Sequence, residues 1–144
     1  MPVKPNVEPI DEEVTFQDEG LEARGLITRT DLHGIITYAS RAYRQMTKYE
    51  KDELIGKPHS IVRHPDMPAA AFKQMWDTIK SDKVWEGYVK NLRKDGKYYW
   101  VIVHIEPIFD EDGNKIGYVG LRREPDRMVI DEIEEKYKQM LANE

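Results

Sequence analysis

The residues able to do chemistry sit in two short stretches joined by a helix. In HSIVRHPDMP, from His59 to Pro68, two imidazoles, a guanidinium and a carboxylate lie close together as His59, Arg63, His64 and Asp66. Arginine has the fork shape that matches phosphate and carboxylate, and histidine can donate or accept near neutral pH. Asp66 can orient Arg63 or His64, or cap the helix that follows. In WEGYVKNL, strand alternation puts Trp85, Gly87, Val89 and Asn91 on one face and Glu86, Tyr88, Lys90 and Leu92 on the other. Gly87 makes room on the first face, and the Asn91 amide donates and accepts at once. Between the stretches, Phe72, Met75, Trp76 and Ile79 recur at steps of three and four, one apolar helical stripe. The Trp76 indole on that stripe can stack on a flat ring. Each feature also has a plainer use: a capped turn with a solvated salt bridge, a polar residue near a turn, an indole in the core. The residues alone leave both uses open.

Other chemistries are missing. There are no cysteines, which excludes disulfides, thiolate metal sites, a thiol nucleophile and a cysteinyl photoadduct. The chain contains no G-x-S-x-G, H-E-x-x-H or Walker lysine loop, and its carboxylates are scattered over turns and the tail, so no enzyme is expected.

Several elements must position these groups. LITRTDL and GIITYA flank His33-Gly34 and read as a hairpin. Ser40 is placed to cap a short helix, SRAYRQMT, and EKDELIG suggests a second that stops at Gly56. The proline-rich KPHSIVRHPDMPAA cannot be one regular helix, and Pro68 suits the first turn of the helix AAAFKQMWDTIK. Three strands follow, VWEGYVKNLRK, KYYWVIVHIEPIF and KIGYVGLRRE, punctuated by Asp95-Gly96 and Asp112-Gly113. The layout is α+β with one five-stranded antiparallel sheet. Residues 1–25 read as a loose arm that docks through Val14, Phe16 and Leu21, and residues 26–124 as the sensor core. Residues 125–144 read as a helix with Ile130, Ile133, Tyr137 and Met140 on one seam, for packing on its own domain or for a homodimer or output contact.

The 144 residues are 40% hydrophobic and 34% charged, enough apolar content for one core. Lys plus Arg number 22 against 27 Asp plus Glu, a net charge of −5, which disfavours nucleic-acid binding by bulk charge. No apolar run approaches a membrane span, and the N-terminal residues lack a signal-peptide core, so a cytoplasmic location is expected.

The order TDLHGIITYAS, a glycine after the second short helix, then RKDGKYYWV, resembles a PAS domain over roughly residues 26 to 124. More narrowly, GKPHSIVRHPDMPAAAFKQMWDTIK followed by WEGYVKNLRKDGKYYW is similar to the flavin-binding PAS domain of the Aer-type aerotaxis and energy-taxis receptors. The HPDMP pentapeptide before a Phe/Trp helix is the specific part. That resemblance implies a PAS fold, non-covalent FAD, redox or oxygen sensing, and chemoreceptor or chemotaxis signalling proteins as partners. It assigns cofactor contacts to Ser40, His59, Arg63, His64, Asp66, Trp76, Trp85 and Asn91, with Arg63 and the histidines toward the phosphates and Asn91 toward the amide edge of the ring. Ser40 stands where such domains commonly have Asn. Two alternatives accompany it. A haem sensor needs an axial ligand, yet none of His33, His59, His64 and His104 falls in the helix from Ala69 to Lys80, a common place for PAS haem ligands. The other is a cofactor-free PAS interaction module.

Overall fold

The computed structural model describes residues 4–144. Its first hairpin pairs β1 (Leu26–Thr30) with β2 (Ile36–Ala39). Its turn is wider than the His33-Gly34 pair suggests. The Asp31 carboxylate accepts hydrogen bonds from the backbone N–H of His33 (2.8 Å) and of Ile35 (3.0 Å), so the aspartate before the pair sets the geometry.

Ser40 then begins α1 (Arg41–Thr47) as expected, accepting from the Tyr43 N–H at 3.2 Å. The same oxygen accepts from Ile27 N–H at 3.1 Å and thereby ties the helix to β1. After α2 (Lys51–Leu54) the chain makes a 3₁₀ turn over His59–Val62 and enters α3 (Ala69–Lys80). Here the expectation is corrected by one position. Pro68 is the N-cap residue, extended rather than in the first turn, and Asp66 does not cap. Its carboxylate accepts from Lys90 Nζ at 2.8 Å, because a nearly buried ammonium demands an anionic partner.

The three remaining strands are β3 (Trp85–Leu92), β4 (Tyr98–Phe109) and β5 (Lys115–Arg123). The sheet is antiparallel in every pairing and runs β2-β1-β5-β4-β3, so the first strand lies beside the last and β3 forms an edge. That closure carries Thr28 of β1 opposite Gly120 of β5, and Asn91 of β3 opposite Tyr99 of β4.

The core has two layers. One face of the sheet packs beneath α1, the 3₁₀ turn and α3, through Leu26, Ile36, Tyr43, Met46, Leu54 and Ile79. The other face takes α4 (Arg127–Ala142), capped by Asp126. Tyr137 of α4 stacks on Trp100 at 6.3 Å between ring centres and donates its hydroxyl to the Tyr88 carbonyl at 2.7 Å. The Ile130–Tyr137 seam is therefore buried against the chain's own sheet.

The N-terminal stretch, of which residues 1–3 lie outside the described residues, is not loose. It runs along the start of β4, with Val14 N–H donating to Tyr98 O (2.8 Å) and Tyr98 N–H to Glu12 O (3.0 Å). Val14, Phe16 and Leu21 are all buried, and Glu19 binds Lys48 at 2.7 Å and Arg93 at 3.1 Å.

Candidate functional site

A cavity of about 190 Å³ separates the inner sheet face from α3 and the 3₁₀ turn. Strand alternation chooses its floor: Thr28 and Thr30 from β1, Val89 and Asn91 from β3, Val103 and Ile105 from β4, Tyr118, Gly120 and Arg122 from β5. Its roof is His59, Val62 and Arg63 with the α3 stripe of Phe72, Met75, Trp76 and Ile79. Trp76 is half-buried and meets Tyr118 edge-on, 5.8 Å between centres at 83°. Trp85 folds its indole over Gly87, where a Cβ would come within 2.4 Å of the ring. No other residue type fits there without expelling the indole.

Five of the expected contacts therefore share one space: His59, Arg63, Trp76, Trp85 and Asn91. Three do not. Ser40 spends its hydroxyl on the α1 cap and on β1, away from the lining. His64 and Asp66 sit on the far side of the sheet edge. Arg63 forms a backbone bridge with Asn91, and neighbours in extended chain point to opposite sides. Arg63 thus turns to the cavity, its guanidinium 4.6 Å over the Phe72 ring, while His64 turns outward against Tyr98. There Lys90 Nζ lies 4.1 Å over the Tyr98 ring and bonds Asp66. The tight group inferred from sequence is split by one residue of alternation.

Both imidazoles in this region are neutral. His64 Nδ1 accepts from the Asp66 backbone N–H at 3.0 Å, so its proton sits on Nε2. Burial and then the Lys90 charge push its pKa down to about 4, against the pull of Asp66. His59 Nε2 lies 2.8 Å from Arg122 Nη2 and 3.1 Å from Thr28 Oγ1. A guanidinium has no acceptor, so Nε2 must accept and Nδ1 carries the proton. Burial, reinforced by Arg122, pushes this pKa down to about 3.

Arg122 is the residue that the sequence reading missed. It is 4% exposed at the closed end of the cavity. Its Nη1 donates to Thr28 Oγ1 at 2.9 Å and to Gly120 O at 3.3 Å, and its fork lies 5.2 Å over the Tyr43 ring. The signal was present: YVGLR alternates Tyr118, Gly120 and Arg122 onto one face by the period applied to β3. A second missed feature is a pair of enclosed phenols. The Tyr43 and Tyr99 hydroxyls have no hydrogen-bond partner among the described residues, and burial pushes the Tyr43 pKa up to about 12.

The lining suits a flat ring with polar edges. Its walls are mostly aliphatic and aromatic, and Asn91, 5% exposed, makes no side-chain hydrogen bond among the described residues. Sites for drug-sized ligands run from about 300 to 1,000 Å³, so this cavity encloses a ring system rather than a whole dinucleotide. A flavin ring fits that chemistry: apolar faces for the ring, Asn91 and Arg122 for its polar edge, and Arg63 for a phosphate.

The family is decided by comparison with known sequences. A family profile described as "PAS fold" matches residues 36–122. The chain belongs to the PAS-fold family. This PAS chain is 43% identical over 117 residues to the aerotaxis receptor of Escherichia coli, covering 81% of the chain and 23% of the receptor. It is 33% identical over 89 residues to phototropin-2 of Oryza sativa subsp. japonica, covering 62% of the chain and 10% of the phototropin. The chain spans less than a quarter of the length of these curated relatives. Among solved structures, a PAS domain from Colwellia psychrerythraea superposes with a TM-score of 0.60 at 25% identity, over 70% of this chain and 86% of that one. A light-oxygen-voltage domain studied with a flavin analogue gives 0.70 at 20% identity, over 85% and 94%, a likeness of fold. A PAS domain of this kind is a signal-transduction sensor module. Among the described residues no helix is long and apolar enough to cross a membrane.

Proposed function

We propose that this PAS domain is a cytoplasmic flavin-binding sensor, with FAD as the cofactor, and that it reports redox state or oxygen to a chemotaxis signalling partner. The observation that carries the proposal is the cavity itself: apolar walls closed by Trp76 and Trp85, with the unpartnered Asn91 amide on its floor and Arg63 on its roof. The similarity to an aerotaxis receptor over most of the chain supports the sensing role and FAD over a shorter flavin. Arg63 then meets the phosphates, Asn91 the amide edge of the ring, and Trp76 a ring face. The bound flavin supplies a chromophore whose charge depends on its redox state. The protein's part is to hold it, exclude water and carry a change at Asn91 through β3. The role is sensing, not catalysis.

The test is to purify the protein with flavin supplied, release the chromophore by heat and identify it by mass. FAD with twin near-ultraviolet and blue bands is the expected result. A Soret band, or a colourless protein after refolding with FAD, overturns it. In a flavin-loaded protein, Asn91→Ala removes a hydrogen-bonding edge contact worth about 1–1.5 kcal/mol, so the dissociation constant rises about tenfold in a fluorescence titration.

A further inference from the structure

Arg122 is a charge without a counter-charge. Its guanidinium is buried, yet every partner it has is neutral: Thr28 Oγ1, the Gly120 carbonyl and His59 Nε2. No carboxylate lines the cavity. Nε–H and one Nη2–H find no protein acceptor among the described residues. An isolated cation in a low-dielectric interior costs several kcal/mol, and proteins normally pair or expel it.

The surroundings instead hold the charge in place. Thr28 and His59 fix two corners of the fork. Gly120 clears the space, since a Cβ there would press on both Nη atoms at 3.1 Å. His59 is kept neutral and accepting, so it steadies the guanidinium without competing for an anion. The Tyr43 and Tyr99 phenols nearby are also protonated at neutral pH and supply no negative charge.

We propose that the closed end of the cavity is an anion subsite, in which Arg122 receives negative charge on the inner edge of the bound ring. The ligand class is a planar heterocycle with an acidic imide at that edge, one whose N–H can ionise and release its proton to solvent. The proposal rests on the flavin reading given above. It adds that the imide edge faces β5 and that the site favours the ionised form of that edge.

The probe is riboflavin, whose imide ionisation is followed by absorbance as pH is raised, free and bound. In the native protein the bound imide should ionise at lower pH than in free riboflavin, by about one unit or more, a tenfold change in the ionisation constant. Arg122→Lys should keep part of this shift. Arg122→Gln should abolish it, and burial should then carry the value above that of free riboflavin. Equal or higher ionisation pH in the native protein overturns the subsite and leaves the flavin reading standing. A shift that survives in Arg122→Gln overturns it equally. Failure of the native protein to bind riboflavin or FAD overturns both. The native measurement needs no variant, so a misfolded Arg122→Gln leaves the decision intact.

Discussion

At the scale of single residues, the site is built by what each side chain is denied. Gly87 has no Cβ, and that absence lets Trp85 lie flat over it. Gly87→Ala should drive the indole toward the cavity, lower stability by about 1–3 kcal/mol and reduce flavin binding more than tenfold. Urea unfolding and a flavin titration check the two effects. His59 and His64 are denied their protons. In the unfolded chain an imidazole titrates near about 6.5. Below that value the unfolded state binds more protons than the folded one, so stability falls as pH falls. The loss ends near pH 4 for His64 and near pH 3 for His59. After allowing for partial exposure, native protein should lose roughly 2 kcal/mol between pH 7 and pH 5, and His64→Asn should lose less. Identical unfolding curves at the two pH values would contradict the neutral assignment.

At the scale of elements, Ser40 shows how a residue can be legible in one role and misleading in another. Its capping role followed from its place before SRAYRQMT, and the structure has it. Its placement beside a cofactor came from resemblance, and the hydroxyl is instead occupied by Tyr43 and Ile27. Ser40→Ala should therefore cost about 1–2 kcal/mol in thermal unfolding and leave flavin affinity unchanged. The strands, the α3 stripe and the D-G turns were readable because each rests on a local period or a local backbone demand. The inner face of β3 was readable for the same reason, and Arg122 by the same rule applied to β5. What local sequence could not supply was the path of residues 63–67 around the sheet edge. That path depends on a backbone bridge to Asn91, far along the chain. The separation of Arg63 from His64 follows from that bridge and from no feature of HPDMP itself. Lys90 was assigned to an outer face from alternation, but its burial and its claim on Asp66 appear only in three dimensions.

At the scale of the whole molecule, the arm and α4 cover the side of the sheet that the cavity does not use. The arm looked loose because its prolines and acidic run dominate its composition. Val14, Phe16 and Leu21 outweigh them once β4 offers backbone partners. Phe16, 1% exposed, does not line the cavity. Phe16→Ala should lower stability by about 3–5 kcal/mol in urea unfolding while the ring site, once folded, keeps its affinity. A parallel loss of affinity at low urea would mean the two faces are coupled through the sheet more tightly than their separate linings suggest.

Such coupling has a short route. Four consecutive residues of the border strand β3 face alternately into two compartments. Asn91 and Val89 look toward the cavity, while Lys90 holds Asp66 and the Tyr88 carbonyl holds Tyr137 of α4. A ribbon only one strand wide cannot roll one margin inward without rolling the other outward. Any ligand that tugs on Asn91 therefore levers the C-terminal helix directly, with no relay of side chains through the interior.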